Sequence, residues 1–423
     1  MGKSFCIFAL ALLSCPLFGF WDLPEPKKMG LPSCMEMPEL KLIPSPRYWE
    51  RNRKWQGVPS IERTSGGRLW AAWYAGSVWE GFSDRGNYIV VYTSGDDGKT
   101  WELVAVYDAT VSGDANSWDP RLWKAPDGAL YLTVTRSMKS KEGKWVTSWK
   151  FKALDPENPR TEWSEPVFNG CGVSLNKPTV LSDGSIIQPL VDNHGLDKPS
   201  LFWTISRDGG KTFEYYSCAE GDYNRKDLGE IACEHMAVQR SDGSLLMFIR
   251  MWDCIGSMES FDNGKTWKNF KPFTKDFGIR TRFNLTRLKS GNILLVANDS
   301  PNRQRDRMTA YLSEDEGKTF PYKLLLDGRK NLTYPDVVLS DDGFIYIIYD
   351  NGRYLLDAQE ILFAKITEAD IKAGKLVNQS SSLQNSISKL APYGGGVKFD
   401  NEPFKEEKIY KELLKKYGPV KKR

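Results

Sequence analysis

The chain has 423 residues, 40% of them hydrophobic and 26% charged, which excludes a mostly disordered polypeptide and allows two or three average domains or one large all-β domain. Its 58 Lys and Arg against 54 Asp and Glu give a net charge of +4, and residues 401–423 alone hold eight basic and four acidic side chains. The remainder is close to neutral, which argues against a nucleic-acid-binding body, and only 2 His leave little room for a His-rich metal site.

Lys3 and the almost unbroken apolar run over residues 5–18 read as an export signal over 1–19, cleaved after Gly19. The run is too short and too early for a membrane span, and no later run is long and apolar enough for one. Leu12-Leu13-Ser14-Cys15 is a loose lipoprotein box that would make Cys15 a lipid anchor, with Pro16 speaking against it. Either route takes the mature protein out of the cytoplasm, to the periplasm, the cell surface or the medium. Cys34, Cys171, Cys218, Cys233 and Cys254 are irregularly spaced, which fits neither a dense disulfide framework nor a zinc site. One pair could be bridged; burial as small apolar residues is the simpler fate.

Residues 20–54 are Pro-rich and read as an extension lying across the body that follows. Within that body an eight-residue pattern, Ser-x-Asp-x-Gly-x-Thr-aromatic, occurs four times. It starts at Ser94, Ser206, Ser260 and Ser313 and ends on Trp101, Phe213, Trp267 and Phe320. Asp and Gly tolerate the positive φ of a tight turn, Ser, Asp and Thr side chains bond nearby backbone, and the aromatic opens the next strand.

A second signal, a polar turn with glycine followed by an apolar strand, recurs six times. The turns are Ser65-Gly66-Gly67, Asp127-Gly128, Asp183-Gly184, Asp242-Gly243, Ser290-Gly291 and Asp342-Gly343, about 50–60 residues apart. Periods of this size with aromatic strands predict one four-stranded antiparallel sheet per repeat, hence an all-β, six-bladed β-propeller over 55–375. Thr367-Glu368-Ala369-Asp370 reads as a helix start. The tail, 376–423, is expected to open with a Ser/Asn/Gln-rich loop over 378–388 and to carry a short charged helix over 405–417.

The eight-residue pattern resembles the Asp-box, or BNR, repeat of the sialidase superfamily. The boxes are scaffold turns and carry no activity by themselves; the order of residues around them, from about Trp55 to Ile366, resembles the family more specifically. The resemblance implies a Tyr nucleophile activated by a Glu, an Asp acid/base, and arginines that bind a sugar carboxylate. Tyr334, in Leu332-Thr333-Tyr334-Pro335-Asp336, matches the nucleophile, followed by a strand ending in Tyr349-Asp350. Glu234 matches its base, and Arg250, at the end of Leu245-Leu246-Met247-Phe248-Ile249-Arg250, and Arg305 match two of the carboxylate-binding arginines. Asp84, ahead of the first box, matches the acid/base.

The sequence departs from the family where the first arginine belongs. Gln56-Gly57-Val58-Pro59 stands in place of the family's Phe-Arg-Ile-Pro, so Gly57 occupies the arginine position. Arg121, beside Asp119 in Trp118-Asp119-Pro120-Arg121, and Lys177, in Asn176-Lys177-Pro178, are the candidates to supply the missing charge. The expected function is an exported, monomeric exo-glycosidase that needs neither metal nor cofactor and acts on a terminal acidic sugar of a glycan. The rival readings are a propeller hydrolase or lyase for another sugar, such as a uronic acid, and a carbohydrate-binding propeller without catalysis.

Overall fold

The computed structural model describes residues 37–76, 87–109, 115–140, 143–192, 200–217, 234–251, 254–274, 281–301, 304–353 and 359–390. Six antiparallel sheets, each of consecutive strands, form the blades of a propeller. Blade one consists of β2 (Gln56–Arg63), β3 (Leu69–Ala75), β4 (Tyr88–Ser94) and β5 (Glu102–Tyr107), with β1 (Leu40–Lys41) added along its outer edge. Blade two is β6 (Ala115–Lys124), β7 (Leu130–Ser140), β8 (Gly143–Lys152) and β9 (Val167–Cys171). Blade three is β10 (Thr179–Val180), β11 (Ile186–Asp192), β12 (Ser200–Ser206) and β13 (Glu214–Ser217). Blade four is β14 (Met236–Gln239), β15 (Leu245–Arg250), β16 (Ile255–Ser260) and β17 (Lys268–Thr274). Blade five is β18 (Asn284–Arg287), β19 (Ile293–Asn298), β20 (Asp306–Ser313) and β21 (Tyr322–Lys330). Blade six is β22 (Leu332–Leu339), β23 (Ile345–Asn351), β24 (Glu360–Ile366) and β25 (Ser382–Lys389).

The six-bladed all-β architecture read from the repeats is the one observed. In every blade the polar glycine turn joins the first strand to the second, and Gly67, Gly128, Gly184, Gly243, Gly291 and Gly343 all have positive φ. The four boxes join third to fourth strands. Because neighbouring strands are antiparallel, boxes and glycine turns share one end of the ring, and the starts of the first strands lie at the other.

Each box is closed by its own side chains. In the first, Asp96 accepts from the Thr100 hydroxyl (2.6 Å), the Thr100 amide (2.9 Å) and the Ser94 hydroxyl (2.8 Å), while the Gly98 amide donates to Ser94 (2.9 Å). The boxes also clasp the preceding blade. The Trp203 indole of blade three donates to the Gly264 carbonyl of blade four's box at 2.7 Å. Arg240 and Arg287 converge on Glu316 of blade five's box.

No strand is shared between the first and last blades, so side chains close the ring. The Gln56 amide N–H donates to Gln359 Oε1 (2.8 Å), and Ser388 Oγ donates to Gln56 Oε1 (2.9 Å). Asp350 and Asp336 accept from the amides of Val58 (2.8 Å) and Ile61 (3.0 Å), and Ser60 Oγ donates to Asp336 (2.7 Å). At the turn end the Tyr346 hydroxyl and Lys365 Nζ both reach Asp97 at 2.5 Å.

Two expectations about the C-terminal part meet different outcomes. Thr367 does cap a helix, α1 (Glu368–Ala373), with a reciprocal capping box to Asp370 and Gly374 in the left-handed region after it. Residues 378–388, expected as loop, instead supply most of β25, the outer strand of blade six, so the propeller continues past 375 to Lys389. An outer strand pairs through its backbone on one side only, and a polar composition is compatible with that place. The segments 1–19 and 405–417 lie outside the described residues, as do Cys34, Cys218 and Cys233; Cys254 is buried, its Sγ 3.8 Å from Met251 Sδ.

Candidate active site

The innermost strands repeat one local design. Val58, Asp119, Leu175, Glu234, Arg282 and Tyr334 each stand nine residues before the turn glycine of their blade. Three of them precede proline, and these three, Val58, Asp119 and Tyr334, have positive φ of 56°, 31° and 54°. At the same places the pairing register of blades one, two and six shifts, between Gly57 and Ser60, Trp118 and Arg121, and Thr333 and Asp336. Proline has no N–H to give to the ladder, so the strand bulges there. Positive φ at a bulky residue costs about 1–3 kcal/mol and concentrates where function demands it.

Tyr334 and Glu234 meet at this end of the ring. The Tyr334 hydroxyl donates to Glu234 Oε1 at 2.9 Å, and Arg250 Nη1 donates to Glu234 Oε2 at 2.5 Å while standing 3.4 Å from the phenol oxygen. All three are largely enclosed: Tyr334 is 7% and Glu234 6% exposed, and the Arg250 side chain is 12% exposed. Burial works against the Arg250 charge, yet the adjoining Glu234 carboxylate and Tyr334 phenol hold it protonated more firmly than an ordinary guanidinium.

Two buried arginines that sequence reasoning missed flank the phenol. The guanidinium carbons of Arg353 and Arg282 lie 4.3 and 5.1 Å from the Tyr334 ring centroid. Arg282 Nη1 donates to the Leu175 carbonyl (2.5 Å), and its Nη2 reaches the carbonyls of Tyr334 and Pro335 (both 3.4 Å), tethering the bulge. Arg353 follows β23, and its carbonyl accepts from the Trp55 indole at 3.0 Å. The spacing from the turn glycine would have found Arg282; nothing in that pattern points to Arg353.

The other expected residues fall as follows. Asp119 occupies the same blade position as Glu234 and Tyr334, 4.0 Å from Arg121. Arg121 is fully buried, with Nε on the Leu175 carbonyl and Nη1 on that of Pro120 (2.6 Å). Burial pulls its guanidinium below the ordinary value, against the opposing fields of Asp119, Asp336, Glu234 and Tyr334. Arg305 stands just before β20, and its carbonyl accepts from the Leu332 amide (2.8 Å), two residues before Tyr334. Asp84 lies outside the described residues.

Lys177, expected as a replacement cation, is paired within the scaffold. Its ammonium donates to the carbonyls of Ile61 and Val337 (2.8 Å for the latter) and pairs with Glu62 (3.3 Å) and Asp336 (3.5 Å), tying blade three to blades one and six. It lines a cavity of about 660 Å³ together with Gln239, Arg240 and Arg287; none of Tyr334, Glu234 and Arg250 borders that cavity. Among the described residues no cluster of His, Cys, Asp and Glu could hold a metal ion.

Six blades, four of them carrying Asp boxes, form a propeller related to the sialidase superfamily fold, with a Tyr–Glu–Arg cluster at the end opposite the boxes. The chain belongs to the BNR repeat-like domain family, whose family model matches residues 67–347. Among solved structures it is similar to a protein of unknown function from Dyadobacter fermentans (18% identity, 74% of this chain and 93% of that one, TM-score 0.56). It is also similar to the Hadza microbial sialidase Hz136 (17%, 71% and 64%, TM-score 0.55). A third is the leech intramolecular trans-sialidase complexed with 2,7-anhydro-Neu5Ac (13%, 83% and 73%, TM-score 0.58). At such identities the likeness is one of fold. No curated protein sequence matches the chain.

Proposed function

We propose that the chain is an exported, sialidase-like exo-glycosidase that removes a terminal acidic sugar with retention. The observation that carries this reading is the hydrogen bond from the Tyr334 hydroxyl to Glu234, with Arg250 bonded to the same carboxylate. A sugar whose anomeric carbon bears a carboxylate repels an anionic nucleophile. A phenol that stays neutral until the transition state avoids that repulsion and needs a base within hydrogen-bond reach.

In the first half-reaction the Tyr334 oxygen bonds to the anomeric carbon while Glu234 takes its proton. The glycosidic oxygen departs with a proton from Asp84. Water, giving a proton to Asp84, then cleaves the tyrosyl–sugar bond, and Glu234 returns its proton to Tyr334. Arg250 and Arg305 supply the charge that binds the substrate carboxylate.

The test is incubation with a 2,3-difluoro acidic sugar followed by peptide mass spectrometry, alongside a screen of monosaccharides released from mixed glycans. A fluorosugar adduct on the Tyr334 peptide and release of sialic acid support the reading. Release of a uronic acid alone would shift the substrate to that sugar. Glycan binding with neither adduct nor release would make the chain a binding propeller.

A further inference from the structure

Gly57 and Arg353 are interlocked across the seam between blades one and six. A Cβ on Gly57 would stand 2.5 Å from Arg353 Cδ, closer than real Cβ contacts come, and a tight 3.0 Å from its Cγ. The Arg353 stem therefore runs through the volume that any side chain at position 57 would fill. That path brings the guanidinium carbon 4.3 Å from the Tyr334 ring centroid, in a site where Arg353 is 1% exposed.

We propose that Arg353 is a positioning residue for Tyr334: its guanidinium, admitted by the bare backbone of Gly57, lowers the cost of ionising the phenol, which stays neutral until Glu234 takes its proton. A cation over an aromatic face is attracted by the ring quadrupole, and the attraction grows when the ring carries charge and water is excluded. Arg stays protonated at every working pH, so the bias is constant. Among the described residues, the phenol is also faced by Glu234, which accepts its hydrogen bond, Arg250 beside its oxygen, Arg282 at the ring, and Arg121 through its field. Arg282 also tethers the Tyr334 and Pro335 carbonyls, so Arg353 is the position where charge over the ring can be altered with least disturbance of the bulge. The inference deepens the proposed function and rests on Tyr334 being its nucleophile.

The experiment places 3-fluorotyrosine at position 334 and follows its 19F shift with pH in the full chain, with no substrate present. Arg353→Met is expected to make the fluorophenol titrate about one pH unit higher than in the parent, and Arg353→Lys about half as much higher. Gly57→Ala keeps the charge but displaces the stem, and it should also raise the titration. Should Arg353→Met not fold, Arg353→Lys and Gly57→Ala carry the test. Titration unchanged in the folded variants overturns the proposal whether or not the chain cleaves any sugar. A second arm measures turnover in the natural-tyrosine background: kcat for Arg353→Lys should fall about tenfold with KM within about twofold. A raised KM at unchanged kcat would make Arg353 a substrate contact instead and overturn the positioning role. A shifted titration in a protein without glycosidase activity would leave this inference standing and refute the proposed function alone.

Discussion

Tyr334 and Glu234, 100 residues apart in the chain, meet through a hydrogen bond of 2.9 Å. They come from the same position of blades six and four, so the contact is a product of propeller symmetry as much as of either strand. Tyr334→Phe removes one oxygen from this pair and leaves the packing of the ring in place. Its kcat on an acidic-sugar glycoside should fall by at least about 100-fold, with thermal stability retained. Turnover near that of the parent would remove Tyr334 from the chemistry.

Glu234→Gln should differ from Tyr334→Phe in one respect. Besides losing the base, it strips the enclosed Arg250 of its bonded carboxylate. Breaking a buried pair by removing one partner costs up to about 3–5 kcal/mol, so this variant should lose both turnover and stability. Urea unfolding of the two variants side by side checks the contrast.

The Lys177 ammonium sits among the Ile61 and Val337 carbonyls, Glu62 and Asp336. Lys177→Met should destabilise the fold by about 3–5 kcal/mol, because it leaves two enclosed carboxylates without their cation. KM of the folded fraction should stay that of the parent; a raised KM would return Lys177 to the substrate site.

Six turn glycines and four boxes are visible as strings, and they define the blade count because a propeller repeats its turns more faithfully than its strands. Tyr334, Glu234 and Arg250 were legible because the strand–turn–strand segments that carry them resemble those of the sialidase family. Arg353 was not, since its place depends on an empty volume at Gly57, nearly 300 residues earlier. Nor was β25 legible: Ser382, Gln384, Asn385 and Ser386 read as loop by composition, and only pairing with β24 makes them a strand.

Gly98 and Gly128 share a φ of 84° but differ in surroundings. A Cβ on Gly98 would stand 2.4 Å from the tip of the Phe363 ring in blade six, whereas one on Gly128 meets nothing within 4 Å. Both alanine variants bear the left-handed backbone cost of about 1–2 kcal/mol. Gly98→Ala should lose about 1–3 kcal/mol more, by overpacking. Equal losses in chemical denaturation would mean the box does not clasp its neighbour.

Asp96 links the boxes to acid stability. Burial raises its pKa, but the bonds from Thr100 and Ser94 outweigh it and bring the carboxyl down to about 2. A depressed carboxyl contributes stability that is complete above the ordinary value near pH 4 and is lost as pH falls through about 2. Asp96→Asn should therefore flatten the acid limb of the stability curve between about pH 4 and pH 2 relative to the parent.

Since every blade is assembled from neighbouring strands, each can form from what has already been synthesised, without waiting for a distant partner. Proteins dominated by local pairing reach their folds faster than those needing remote closure. The vectorial order this permits, blade one first and blade six last, leaves Gln56, Ser60 and Val58 as the final docking points, open until Gln359, Asp336 and Asp350 arrive. The Tyr334 and Arg353 end of the site would thus be finished only when the ring is.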